Sequence, residues 1–155
     1  IEKWPEKFRG RRCLELGAGC GLVGIVLSKV GASVTVTDLE CNLPLLQENT
    51  SIGKDVDVQP LVWGTPSPKC SPPYDVIVGC DIMYIREAIP DLVDTLMQLS
   101  DSKTKIIFSY GRNRFAEETF FDAITSKFTM MDVPESDLHT VYQCADVRVF
   151  TMQRV

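Results

Sequence analysis

Two clusters of residues have the types and spacing to do chemistry. In "LELGAGCGLVGI" (Leu14–Ile25), glycines recur at positions 17, 19, 21 and 24 directly after an apolar run. Such spacing makes a tight turn between a strand and the first turn of a helix, where backbone N–H groups and the helix dipole meet a ligand. The second cluster is "GCDIMY" (Gly79–Tyr84), in which Asp81 leaves a buried apolar run and Tyr84 follows three residues later. A carboxylate at the end of such a run is costly unless it caps a helix, bonds a loop or serves a ligand. Between the clusters stand Asp38, closing "SVTVTD", and Trp63, in "VWG".

Strands and helices must alternate to bring these residues together. "RCLEL" reads as a buried strand ending at Gly17. "LVGIVLSKV" reads as a helix stopped by Gly31, and "SVTVTD" as a second strand rich in β-branched residues. Asn42 and Pro44 open a helix through "LPLLQENT". "VDVQPLVW" predicts strand three, with Pro60 marking a bulge or an edge. The proline-rich "GTPSPKCSPP" is a loop, and "YDVIVGCD" a fully buried strand. Ile89, Leu92, Val93, Leu96 and Leu99 keep helical spacing, with Pro90 in the first turn. "KIIFSY" is strand five and "AEETFFDAITSKF" a helix. "FTMMDV" and "DVRVFTMQRV" form an antiparallel pair, since nothing helical separates them. The order predicts an α/β fold, a Rossmann-like doubly wound seven-stranded sheet with a C-terminal antiparallel strand pair. In an open sheet of this kind ligands bind at the carboxyl ends of the strands, where Gly17, Asp38, Trp63 and Asp81 all fall.

Gly17-x-Gly19-x-Gly21 is the turn of enzymes that bind S-adenosylmethionine, whereas Gly19-x-Gly21-x-x-Gly24 is the dinucleotide fingerprint. Register separates them. The fingerprint's first glycine follows its strand directly, yet here Gly17 takes that place and Gly19 comes two residues late. Glu15, inside the strand, adds to the argument: S-adenosylmethionine carries an ammonium and a sulfonium but no phosphate, so its site favours a nearby carboxylate. Asp38 can accept both ribose hydroxyls of either cofactor and does not discriminate. An NAD-linked oxidoreductase and a ligand-free turn are the alternatives. No phosphate-binding GxxxxGK[ST] is present.

"ELGAGCGLVGI", "VTVTDLE", "LVWG" and "CDIMY", in this order and spacing, resemble methyltransferase family sixteen, and within it the methyltransferase-like twenty-one group. The likeness covers nearly the whole chain and is most specific from Cys13 to Thr95. It implies a seven-strand, S-adenosylmethionine-dependent protein-lysine methyltransferase. By this resemblance Gly17, Ala18, Gly19 and Gly21 form the cofactor turn, with Glu15 nearby. Asp38 meets the ribose, Trp63 lies near the adenine, Cys80 precedes the acid, and Asp81 and Tyr84 flank the target lysine. It also implies a protein substrate, with chaperones and AAA ATPases as candidates, and a cytoplasmic enzyme. Relatives carry a tryptophan-containing segment before the first strand, whereas Trp4 here lies close to that strand. Methyltransferases of a small amine or of another protein nitrogen, and a cofactor-binding partner module without turnover, are the alternatives.

Methyl transfer by in-line displacement needs a neutral lysine nitrogen aligned with the methyl group and water excluded. A carboxylate raises the pKa of a neighbouring ammonium, so Asp81 is suited to capturing and aiming the lysine rather than deprotonating it. Tyr84 offers a wall or a hydrogen bond beside the amine.

Composition narrows the field further. The 155 residues, 45% hydrophobic and 24% charged, suit a single domain over 1–155. A net charge of −5 lacks the footprint of a general nucleic-acid binder; "YGRNRF", with Arg112 and Arg114, is the best local basic patch. No apolar run approaches the length of a membrane helix. The six cysteines show no CxxC pair or zinc spacing, which points to reduced, mostly structural thiols and no metal. His139 falls outside the motifs, and no oligomerisation face stands out, so a monomer is expected. The chain starts at Ile1 rather than Met, as a chain trimmed at its N-terminus would.

Overall fold

The computed structural model describes residues 1–53, 55–111 and 116–155. Arg112 and Arg114, the core of the basic patch, lie outside the described residues. Seven strands form one sheet: β1 (Arg12–Leu16), β2 (Ser33–Asp38), β3 (Val56–Pro60), β4 (Val76–Cys80), β5 (Lys105–Gly111), β6 (Phe128–Asp132) and β7 (Val147–Arg154). Their spatial order is β3-β2-β1-β4-β5-β7-β6. The pairs β3–β2, β2–β1, β1–β4 and β4–β5 are parallel, while β7 runs antiparallel to both β5 and β6. The expected terminal antiparallel pair is therefore present, with the last strand inserted between its two predecessors.

Helices α1 (Leu22–Lys29), α2 (Leu43–Thr50), α3 (Ile89–Leu99) and α4 (Glu117–Ile124) cover the two faces. Successive strand residues point to opposite faces, so β1 and β4 feed two cores at once. Cys13, Val76 and Val78 join Leu27, Leu43 and Leu46 on the α1/α2 side. Leu14, Leu16 and Ile77 join Leu92, Leu96 and Phe120 on the α3/α4 side. The latter core ends in a cluster of rings: Phe108, Phe120 and Phe150 have centroids 5.7–6.3 Å apart, one pair stacked and the others tilted or edge-on, a spacing that adds to simple area burial.

Several local readings are corrected by the backbone. Strand β3 stops at Pro60 rather than Trp63, where its partner β2 also ends, at Asp38; it is an outer strand, as Pro60 suggested. Helix α4 ends at Ile124 rather than Phe128, and Lys127 N–H closes a turn on Ile124 O. Asn42 does not cap α2 through its side chain; its Nδ2 donates instead to Asp38 Oδ1 at 2.8 Å. All six cysteines are free thiols; Cys13 and Cys70 are buried, and Cys20, Cys41, Cys80 and Cys144 are exposed. No described helix is long and apolar enough to cross a membrane.

Candidate active site

The carboxyl ends of β1, β2 and β4 open onto one cavity of about 360 Å³, within the usual range for small-molecule sites. Its floor is the glycine turn. Gly17, Gly19 and Gly21 all have positive φ, at 59°, 54° and 80°, a region that L side chains rarely enter. A Cβ on Gly17 would stand 2.8 Å from Ile82 Cγ2 and 3.4 Å from Trp63, whereas one on Gly19 would meet nothing within 4 Å. Gly17 is thus fixed by close approach, and Gly19 leaves open backbone facing the cavity.

The turn is tied to its neighbours. Ala18 N–H donates to Thr37 O at 2.9 Å, and Gly19 N–H donates to Asp38 Oδ2 at 2.7 Å. Asp38 Oδ1 accepts from Leu39 N–H and from Asn42 Nδ2. On the opposite side, Asp81 adopts φ 56°, which aspartate tolerates better than most residues. Its N–H donates to Ser109 O at 2.7 Å, and its Oδ1 accepts from Gly111 N–H at 3.3 Å. The end of β5 therefore fixes both the backbone and the side chain of Asp81.

Seven of the sequence-derived site residues line the cavity: Gly17, Gly19, Asp38, Trp63, Cys80, Asp81 and Tyr84. Cys80 faces this space rather than the core; although exposed at the cavity, its thiol is partly desolvated by the surrounding walls, which pushes its pKa up, and Ser109 Oγ–H donates to its sulfur at 3.3 Å. Glu15, Ala18 and Gly21 do not reach the cavity wall. Glu15 is buried and accepts Gly24 N–H at 2.7 Å, which ties β1 to the first turn of α1; desolvation pushes its carboxyl up to about 7. A Cβ on Gly24 would lie 2.2 Å from Val36 Cγ1, so that glycine serves helix–sheet packing. Gly21 likewise admits Leu46 and Thr50 of α2, the nearest approach being 2.6 Å.

Sequence reasoning missed Leu39, Asn42, Val62, Ile85, Ala88 and Asp91. Leu39, Val62 and Ile85 are 49%, 55% and 47% exposed and give the cavity apolar walls open to solvent. The signal available was position: each follows a strand end or sits one residue from a motif. His139 accepts Val141 N–H well away from this cavity, and Trp4 donates through Nε1 to Asp137 O at 3.2 Å. Among the described residues no group of three or more His, Cys, Asp or Glu is placed to hold a metal.

The strand order, the reversed β7 and the glycine turn beside Asp38 are those of the class I S-adenosylmethionine-dependent methyltransferases. The fold matches a TehB-like methyltransferase from Corynebacterium glutamicum at a TM-score of 0.78 and 18% identity, covering 99% of this chain and 87% of that one. It also matches magnesium protoporphyrin IX methyltransferase from Synechocystis, with bound SAM, at 0.71 and 18%, over 98% and 75% of the two chains. Residues 2–127 match the lysine methyltransferase family, and the chain belongs to it. It is 38% identical over 151 residues to protein N-lysine methyltransferase METTL21A of Danio rerio, and 33% identical over 149 residues to that of Mus musculus. Each alignment covers 90% of this chain and 68% of the relative. It is 39% identical over 113 residues to EEF1A lysine methyltransferase 3 of Xenopus tropicalis, covering 70% of this chain and 50% of that protein.

Proposed function

We propose that the chain methylates a lysine side chain of a protein, with Asp81 and Tyr84 flanking the amine. One observation supports this reading above the others: a single cavity joins the Gly17–Asp38–Trp63 group to the Asp81–Tyr84 pair. The family's methyl donor is S-adenosylmethionine. The cavity fits it, since exposed apolar walls and the Trp63 ring suit an adenine, and the Asp38 carboxylate suits ribose hydroxyls. Gly17 and Gly19 would hold the amino-acid end. Glu15, Ala18 and Gly21 support that turn from beneath and shape it.

When bound, the cofactor supplies an electrophilic methyl group. The chain's own task is to deliver a neutral nitrogen. Asp81 draws the lysine ammonium in and aims it, its carboxylate held by the Gly111 amide of β5. A free lysine titrates near ~10.4, and a carboxylate raises that value, so Asp81 is not the base. Desolvation against Ile82, Tyr84 and Ile85 opposes the charge and sends the proton to solvent. The Tyr84 ring, 55% exposed, would wall the amine and accept the cationic product on its face.

Residues 1–155 act as one catalytic domain in this reading, a cytoplasmic monomer. The substrate is a protein of the chaperone or AAA ATPase kind, or EEF1A, after which a similar methyltransferase of Xenopus tropicalis is named. The test is transfer of labelled methyl from S-adenosylmethionine to cell-extract proteins, with Asp81→Ala as control. A discrete band lost in the control supports the reading. Labelling that persists in the control, or that falls only on small molecules, overturns it.

A further inference from the structure

The loop leaving β3 holds three hydroxyl–proline pairs within eight residues: Thr65-Pro66, Ser67-Pro68 and Ser71-Pro72. Methyl transfer uses none of them. A serine or threonine followed by proline, in exposed irregular chain, is the substrate form of proline-directed protein kinases, and the whole stretch from Thr65 to Pro73 lacks helix and strand. The three differ in what surrounds them. Ser67 is half-buried, and its carbonyl accepts the N–H of buried Cys70. The Ser71 carbonyl is held by the Arg12 guanidinium at 2.7 Å. Thr65 and Pro66 are both exposed.

Thr65 is also the pair coupled to the cavity. Its Oγ1–H donates to Val62 O at 2.6 Å and its N–H donates to the same oxygen at 3.2 Å. These bonds close the turn that carries Val62 and Trp63 into the cavity wall. The residue before it, Gly64, has φ 80°, and a Cβ there would lie 2.6 Å from Asp91 Oδ1. Asp91 lines the same cavity, and Lys69 is the one cation in the loop from 61 to 75.

We propose that Thr65 is a phosphorylation site that switches cofactor binding off. Thr65 Oγ1 attacks the γ-phosphorus of a nucleoside triphosphate held by a proline-directed kinase. The new O–P bond forms as the bond to the bridging oxygen breaks. The nucleoside diphosphate leaves with that electron pair, and the hydroxyl proton passes to the kinase's carboxylate. Two consequences follow locally. The ester oxygen has no hydrogen to donate, so the bond to Val62 O is lost. A group of nearly two negative charges is then added next to Gly64, whose backbone packs against the Asp91 side chain, so like charges are brought to the same turn and repel. Both effects open the Val62–Thr65 turn and withdraw the wall that Trp63 provides.

The proposal rests on the reading of the cavity as a cofactor site, and the experiment separates the two. The full chain is incubated with ATP and a cyclin-dependent kinase, phosphosites are mapped by mass spectrometry, and two properties are compared before and after. Hydrogen exchange over residues 61–66, without cofactor, reads the turn. Calorimetric binding of S-adenosylhomocysteine reads the cavity. The expected result is phosphate at Thr65, faster exchange over 61–66, and a Kd raised about tenfold or more, the scale of one lost hydrogen bond plus like-charge repulsion. Thr65→Ala should make both properties insensitive to kinase treatment. Phosphate only at Ser67 or Ser71, or phosphate at Thr65 with unchanged exchange, overturns the proposal. If the untreated chain binds no S-adenosylhomocysteine, the cofactor reading fails instead, and the exchange measurement still decides the turn.

Discussion

Asp38 Oδ2 accepts the Gly19 N–H at 2.7 Å, so the carboxylate that ends β2 holds the turn that ends β1. In the proposed reading the same group meets the ribose hydroxyls, so it would shape the cradle as well as contact what lies in it. Asp38→Ala should raise the Kd for S-adenosylhomocysteine by about 10- to 100-fold, the worth of one or two charge-assisted hydrogen bonds. Asp38→Asn should lose less, because its amide oxygen can still accept from Gly19. Calorimetry on the two variants would check the ranking.

Gly17→Ala tests the close approach to Ile82. The added Cβ meets Ile82 Cγ2 at 2.8 Å at a φ of 59°, which costs about 1–3 kcal/mol in strain and overpacking. Thermal unfolding should show a lowered Tm, and cofactor binding should weaken beyond what the stability loss explains.

Asp81→Asn separates aiming from cofactor binding. The amide cannot attract an ammonium, so kcat/KM for a lysine substrate should fall about 100-fold or more, while the Kd for S-adenosylhomocysteine stays within about twofold. A variant that loses both equally would place Asp81 in cofactor binding instead. Tyr84→Phe keeps the ring and should retain most of the activity if the ring serves as a wall.

The buried Glu15 carboxyl gives a pH signature. Its pKa rises from the ordinary 4.5 to about 7 through desolvation, against the Gly24 hydrogen bond that lowers it. In that window the folded chain binds more protons than the unfolded one, so stability falls as pH rises from about 4.5 to about 7 and levels off above. The full effect is of the order of 3 kcal/mol. Denaturant unfolding from pH 5 to 8 should show this slope, and Glu15→Gln should flatten it.

Arg148 clamps the far side of the sheet. Its Nε donates to Asp132 at 2.7 Å, and its guanidinium lies 4.8 Å from the Phe121 centroid and 5.6 Å from that of Phe150. Its Nη1 also donates to the Tyr110 hydroxyl, which in turn donates to Glu117. Arg148→Met should cost about 1–3 kcal/mol, read as a lowered denaturation midpoint. Because Tyr110 lies between the β5 residues that hold Asp81, kcat/KM should fall as well, with cofactor affinity unchanged.

Most of the fold was legible because its strands are short, β-branched and bounded by glycine or proline; β1 and β2 match their expected spans residue for residue. The overshoots have local causes: β3 runs out of partner where β2 ends at Asp38, and the chain beyond Ile124 folds into a turn closed by Lys127 N–H on Ile124 O. The motif residues were legible in part. Glu15 carries the right charge, yet the alternation of β1 turns it toward Gly24 and away from the cavity. Leu39, Val62 and Ile85 carried only a positional signal beside a strand end or a motif, because each side chain looks like an ordinary core residue until three separate loops bring them to the same opening.

The reversal of β7 bears on how the chain assembles. This strand is translated after both of its neighbours and must insert between β5 and β6, pairing Phe150 with Phe108 and Asp132. Until residue 154 is available those two strands have open edges, and the phenylalanine cluster lacks one of its rings. A nascent or prematurely terminated chain would thus present unpaired backbone and aromatic surface together, the combination that quality control and aggregation both recognise.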